Sequence, residues 1–231
     1  MALTPNMRGL EEAILSDVGE IAIFGSASEG FSKANINCTI DESIKRFNPL
    51  VEFAKQHSLP VRGYVSCITE CPFDGLIHPE KVRDITLRLF DLGCYEVSLG
   101  DTLGRSSPQQ ISNLFEKILK DIPCSELAGH FHDTKDMALE NIKVALDFLM
   151  NVSTRKSVVF LISDFLDHDY WKPLKLVNKK HDLIGIRISD PAEQKIPNLG
   201  LLKIIDPESN EECWVDTSSK KEREFSEKSI I

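Results

Sequence analysis

Four short apolar runs, each followed by an amphipathic stretch, constrain this chain more than any other feature. EIAIFGSAS, VRGYVSC, CYEVSLGD and LAGHFHD are rich in β-branched and apolar residues and run into Gly, Ser or Asp, the pattern of short strands ending in turns. Between and after them, apolar residues at i, i+3/i+4 spacing predict helices over 41–57, 79–92, 108–120 and 134–149. In the first of these, Ile44, Phe47, Val51 and Ala54 share one face, and Pro79 and Pro108 stand where a first helical turn accepts proline. No hairpin signal joins the strands. Each crossover helix therefore returns the chain in the same direction, which implies a parallel sheet, open or closed.

Charge divides the 231 residues into two parts. Residues 1–150 carry 14 Lys+Arg against 22 Asp+Glu (net −8), whereas 151–231 carry 13 against 14 (net −1). A boundary near Asn151 is expected, with domains at 1–151 and 152–231. The second part contains RKSVVFLISDFLD, a helical WKPLKLVNKKH and DLIGIRISD, one further βα unit and a strand. GLLKIIDPESNEECWVDT then reads as a hairpin around Asp206–Asn210, and the charged tail SSKKEREFSEKSII is expected to fray.

The overall charge of −9, with no Lys/Arg block, argues against nucleic acid as a partner, because duplex affinity needs several cations on one face. No run approaches the roughly 18 apolar residues of a membrane span, and MALTPNMRGLEEA lacks the features of a secretory signal. The expectation is a protein of the cytoplasm that meets no membrane. Cysteines 38, 67, 71, 94, 124 and 213 then read as isolated thiols rather than a disulfide framework.

His130-Phe131-His132-Asp133-Thr134 closes the fourth run and is the strongest chemical feature. Strand alternation puts His130 and His132 on one face, where both imidazoles can meet one metal ion or serve as two structural histidines. Two imidazoles leave an octahedral ion short of ligands, so other segments must supply oxygens. Ser98-Leu99-Gly100-Asp101-Thr102 also ends a strand, where ligands collect in parallel α/β folds. Asp101 is either an acid/base group or the cap of the following turn. Cys67 and Cys71 form C-x₃-C, a zinc pair or two buried thiols. Arg62 and Tyr64 share one strand face, and Arg62 is otherwise an ordinary surface or salt-bridged arginine.

LTPN at 3–6, FGSASEGFSKANINCTIDES at 24–43, RGYVSC with CPFDG at 62–75, GCYEVSLGDTLG at 93–104 and GHFHDT at 129–134 together resemble hydroxymethylglutaryl-CoA lyase, a (β/α)₈-barrel metallolyase. Order and spacing agree over residues 2–148. Related barrel synthases share the HxHDT and GDT elements but not the SASExFSxxNINC stretch. The resemblance implies metal-dependent retro-Claisen cleavage of 3-hydroxy-3-methylglutaryl-CoA, a CoA thioester, to acetyl-CoA and acetoacetate. It assigns His130 and His132 as ligands of Mg²⁺ or Mn²⁺ and Asp101 as an active-site aspartate. The family's first-strand Arg-Asp-Gly motif, its later Asn ligand and its loop cysteine have no counterpart here. Asp136 and Leu149 replace two expected glycines.

After Asn151 the sequence instead resembles the C-terminal part of an uncharacterised bacterial family with a von Willebrand A-like domain. Asp164 stands where a late element of its adhesion-type metal site would fall, or else caps a strand end. The expected fold class is therefore α/β: partial TIM-barrel-like parallel βα units, strands four to seven of eight, followed by a fragment of a doubly wound α/β domain. Half a barrel leaves sheet edges bare, which calls for the appended strands to extend the sheet or for a homo-oligomer through those edges. Two functions follow: a lyase inactive alone because half its site is missing, or a non-catalytic module binding a metal or a protein. A fusion fragment without selected function is the remaining alternative.

Overall fold

A computed structural model describes residues 1–135, 137–152, 156–165, 171–189, 197–205 and 212–219. Its contacts divide the chain into two compact units, Met1–Ser153 and Thr154–Ile231.

The first unit runs β1 (Ala2–Leu3), α1 (Met7–Leu15), β2 (Ile21–Ser26), α2 (Glu29–Ile36), α3 (Ile40–Gln56), β3 (Val61–Ser66), β4 (Glu70–Cys71), β5 (Gly75–Leu76), α4 (Pro79–Leu92), β6 (Glu96–Asp101), α5 (Pro108–Ile118), β7 (Leu127–Phe131) and α6 (Ala138–Val152). Five strands form one sheet in the order β1-β2-β3-β6-β7, every neighbouring pair parallel. Ile21, Ile23, Val61, Val65, Val97 and Leu99 alternate onto one face and pack against Leu50, Val51, Val82, Leu89, Ile111 and Leu114 of the helices. Truncating such a fully buried leucine to alanine typically costs about 2–5 kcal/mol, so this layer is what holds the sheet. The other face is more polar. Arg62, Tyr64 and Ser66 stand in register with Glu96, Ser98 and Gly100 across β3 and β6.

Local chemistry explains where the helices start. Thr39 with Glu42, and Ser107 with Gln110, form reciprocal capping boxes, and Pro79 and Pro108 open their helices. Helix α6 begins at Ala138 rather than at 134, because residues 132–135 form the turn leaving β7 and Asp133 Oδ1 accepts the Ala138 N–H at 2.9 Å. Helix α5 stops at Ile118, two residues before the expected end. Helices α1 and α2 and the small antiparallel β4–β5 pair had no counterpart in the periodicity reading. Short helix α2 lies within a Gly/Ser-rich stretch that reads as turn, and it depends on its Ser28 cap, which accepts the Phe31 N–H at 3.0 Å.

In the second unit β8 (Val158–Ser163) pairs in parallel with β9 (Asp182–Arg187), and α7 (Trp171–Lys180) lies between them in sequence. Strands β10 (Leu201–Ile205) and β11 (Glu212–Asp216) form an antiparallel pair. Among the described residues β8 and β9 form a two-stranded sheet within this unit. The turn at 206–210, most of the charged tail and Asp136 lie outside the described residues. Among the described residues no helix is long and apolar enough to cross a membrane.

Candidate functional site

Ligand-facing groups in a parallel sheet gather at the strand C-termini, where the backbone gives way to loops. At the end of β7, His130 sits opposite Gly100 of β6, and His132 lies just past the strand rather than within it. The two imidazoles stack with ring centroids 4.8 Å apart and planes inclined by 19°, and both are exposed. Partial burial, with repulsion from His132 and Arg62, holds the His130 imidazole below its usual pKa, which leaves a nitrogen lone pair free near neutral pH. Among the described residues, no group of three or more His, Cys, Asp or Glu is placed to hold a metal ion. The pair therefore suits part of a divalent ligand set and does not complete one.

Arg62, on the same face as the histidines, pairs with Glu96 at 2.5 Å, and its guanidinium carbon lies 5.3 Å from the centre of the Tyr64 ring. Its Nε is buried and has no hydrogen-bond partner among the described residues. This makes Arg62 the salt-bridged arginine of the two alternatives, with one donor in reserve.

Asp101 is opposite Phe131 in register, one residue on from the Gly100–His130 pair, so alternation sends it to the other face of the sheet. It is buried, and its Oδ2 accepts the Ser106 N–H at 3.0 Å. Asn141 of α6 donates its side-chain amide to the Ser106 carbonyl at 2.8 Å, and the Ser106 hydroxyl bonds to Thr69. Strand β6, helix α6 and the loop between β3 and β4 thus fix one residue of the loop between β6 and α5. Inside that loop Gly104 adopts φ +60°, and a Cβ there would stand 2.6 Å from Thr134 Oγ1 and 2.9 Å from the His132 carbonyl carbon. The loop after β6 and the histidine-bearing turn after β7 are in backbone contact. Sequence reading missed Ser106, Asn141 and Gly104. The available signal was Asn141 on a helical stripe that otherwise reads Ala138, Ala145 and Phe148.

All six cysteines are free. Cys67 closes β3 with φ +61° and donates its N–H to Thr102 Oγ1 at 2.8 Å; burial pushes its thiol up to about 12. At Cys71 burial also raises the thiol, but the Ser28 hydroxyl at 2.8 Å and the N–H groups of Asp74 and Phe73 outweigh it and lower the pKa. The zinc alternative for this pair has no third ligand among the described residues. Asp164 accepts a hydrogen bond from Ser163 Oγ at 3.3 Å, and no group of three metal-ligating side chains includes it among the described residues.

A parallel sheet backed by helices, with histidines and anchored loops at its strand ends, is the segment of a TIM-barrel-type α/β protein. The chain belongs, over residues 1–148, to the family described as HMGL-like and, over residues 105–230, to the protein family of unknown function DUF58. It is 50% identical over 145 residues to the hydroxymethylglutaryl-CoA lyase of Pseudomonas mevalonii, covering 63% of this chain and 48% of that protein. It is 49% identical over 150 residues to the cytoplasmic 3-hydroxy-3-methylglutaryl-CoA lyase of Rattus norvegicus, covering 65% of this chain and 44% of that protein. The solved HMG-CoA lyase of Brucella melitensis superimposes with a TM-score of 0.62 at 52% identity, covering 63% of this chain and 52% of that one. The chain spans about half the length of the curated relatives it matches.

Proposed function

We propose that residues 1–153 bind a divalent cation, Mg²⁺ or Mn²⁺, through His130 and His132 and serve the cleavage of 3-hydroxy-3-methylglutaryl-CoA to acetyl-CoA and acetoacetate. The observation that carries this reading is the stacked, exposed histidine pair at the end of a parallel strand, within 145 residues that are 50% identical to a hydroxymethylglutaryl-CoA lyase. A bound cation would polarise substrate oxygens and stabilise the negative charge that develops as the carbon–carbon bond breaks. Imidazole ligands suit Mn²⁺ better than Mg²⁺, which prefers oxygen.

The protein's own groups then have distinct tasks. His130, kept neutral, offers a ligand nitrogen. Asp101 acts as a positioning residue: through Ser106 it fixes the loop whose Gly104 abuts the His132 turn. With two imidazoles and, among the described residues, no third His, Cys, Asp or Glu placed to join them, the remaining oxygen ligands come from elsewhere, so the chain alone is a poor catalyst. The reading places the work in the cytoplasm, in keeping with six free thiols. Residues 152–231 are read as a von Willebrand A-like C-terminal fragment, a reading supported by the parallel β8–α7–β9 unit.

Mn²⁺ titration followed by electron paramagnetic resonance tests the site. Binding by the whole chain that weakens at least tenfold in His132→Ala supports it, and identical titrations for both proteins refute it. Acetyl-CoA release is expected only when a second polypeptide carrying the remaining strands of a lyase barrel is added. Mn²⁺ binding without turnover under that condition favours the second reading, a cation-binding module without catalysis, for which the exposure of both imidazoles speaks.

A further inference from the structure

One surface of the second unit takes no part in the proposed site. Parallel register sets Phe160 beside Ile184 and Ile162 beside Ile186. Val158 heads the row, and Ile188, whose N–H continues the pairing to the Ser163 carbonyl at 3.0 Å, ends it. These six side chains remain between 41% and 61% exposed. The opposite face is covered: Leu174 and Val177 of α7 are buried, and the Phe165 ring lies 3.3 Å from where a Cβ on Gly185 would stand. Strands in parallel sheets are ordinarily covered on both faces, and a two-stranded sheet with one bare apolar face is poorly stable in water. Something should cover this row.

We infer that the Val158–Ile162/Ile184–Ile188 face is the interface of a homodimer, in which Phe160, Ile162, Ile184 and Ile186 pack against the same side chains of a second copy. Area selects this occupant. Six apolar side chains, each about half exposed, leave roughly 500 Å² of surface per copy, at the upper end for a patch that stays bare on a monomer. Two copies together would remove about 1,000 Å², the least that a specific interface needs.

Composition selects it as well. Phe160, Ile162, Ile184, Ile186 and Ile188 are uniformly aliphatic or aromatic and are flanked by Asp182, opposite Val158, and by Asp164, two residues past Ile162, so only the ends of the row are charged. Such a surface is complementary to itself under a two-fold rotation, and sheet faces stack at about 10 Å with their side chains interdigitated. Lys156 and Asp182, paired at 2.6 Å at one end, would form part of a polar rim. The inference goes beyond the cation-binding reading and does not depend on it.

Light scattering after size exclusion, and sedimentation velocity, of the whole chain from about 1 µM to about 100 µM provide the test. The expected result is a reversible shift from monomer to dimer mass within that range, with or without Mn²⁺. Phe160→Lys and Ile186→Lys each move the midpoint at least tenfold towards monomer, while circular dichroism, and melting at about 1 µM where wild type too is monomeric, stay unchanged because both side chains are exposed in the monomer. Should a lysine disturb folding, Ile184→Ser is expected to weaken the dimer in the same direction. A wild-type chain that stays monomeric at the highest concentration overturns the inference. So do polydisperse aggregates, or a dimer indifferent to these substitutions, which would point to pairing through strand edges.

Discussion

Replacing Gly104 with alanine tests whether the loop after β6 holds the histidine turn. The φ of +60° costs a non-glycine residue roughly 1 kcal/mol on its own. The added Cβ would also meet Thr134 Oγ1 at 2.6 Å, the Thr134 nitrogen at 2.8 Å and the His132 carbonyl carbon at 2.9 Å. The Thr134 hydroxyl can rotate away, but the two backbone atoms cannot move without shifting the turn. Overpacking of this kind costs about 1–3 kcal/mol, so the sum is about 2–4 kcal/mol. For a unit of this size that lowers the melting temperature by roughly 4–16 °C. Because the clash falls on His132, Mn²⁺ affinity should fall together with stability, whereas substitution at a distant buried site should lower stability alone. Thermal unfolding and Mn²⁺ titration of the purified chain give both numbers. A Gly104→Ala protein that melts within about 1 °C of wild type refutes the contact argument. One that melts early but binds Mn²⁺ unchanged refutes the coupling to the histidines.

Asp101→Ala leaves the Ser106 N–H without its acceptor in a buried position, at a cost of about 1–3 kcal/mol read by urea denaturation; Asp101→Asn, which keeps an acceptor oxygen, should lose less. If the two variants are equally stable, Asp101 does not anchor that loop. Ser28→Ala removes a hydrogen bond to Cys71 Sγ and should raise that thiol's pKa, shifting the pH dependence of its alkylation, followed by peptide mass spectrometry, to higher pH. An unchanged profile would mean that the backbone N–H groups alone set the thiol. His181 is buried with Nδ1 accepting the Ser157 N–H at 3.2 Å and Nε2 without a partner among the described residues; burial, reinforced by Lys180, holds its pKa below 6.5. The unfolded chain therefore takes up the proton first as pH falls through about 6.5, and the native state loses stability there while gaining nothing above it. His130 acts in the same direction. His181→Asn should flatten the melting profile between about pH 5 and pH 7, and a slope equal to wild type would count against this origin.

The four main strands and four main helices of the first unit were legible because each has a period that survives without its neighbours. Ile44, Phe47, Val51 and Ala54 repeat on one helix face, and Val97 and Leu99 alternate along β6. Prolines marked the helix starts at Pro79 and Pro108 for the same reason, since a proline's fixed φ acts within the first turn. Helix α2 was not legible: its Gly/Ser-rich sequence favours a turn, and the Asp74 carboxylate, 44 residues from Gly30, accepts the Gly30 N–H at 2.8 Å at its first turn. The appended β8 and β9 matched expectation as the two parallel strands of a βα unit, because each apolar run carries its own signal.

At the site the division is similar. Alternation within HFHDT was enough to put His130 and His132 side by side, and motif order was enough to give the family. Residue type left Asp101 and Arg62 with two readings each. Sheet register sent Asp101 away from the histidines onto Ser106, and the adjacent strand brought Glu96 to Arg62. The amino-acid sequence by itself determined the local elements, the histidine pair and the lyase resemblance, since those depend on neighbours a few residues apart. Only the tertiary structure decided that Gly104 touches the His132 turn, that Asn141 holds Ser106, and that one face of the β8–β9 sheet stays bare. Those outcomes depend on which distant segments share space, and that is set by packing of the whole chain.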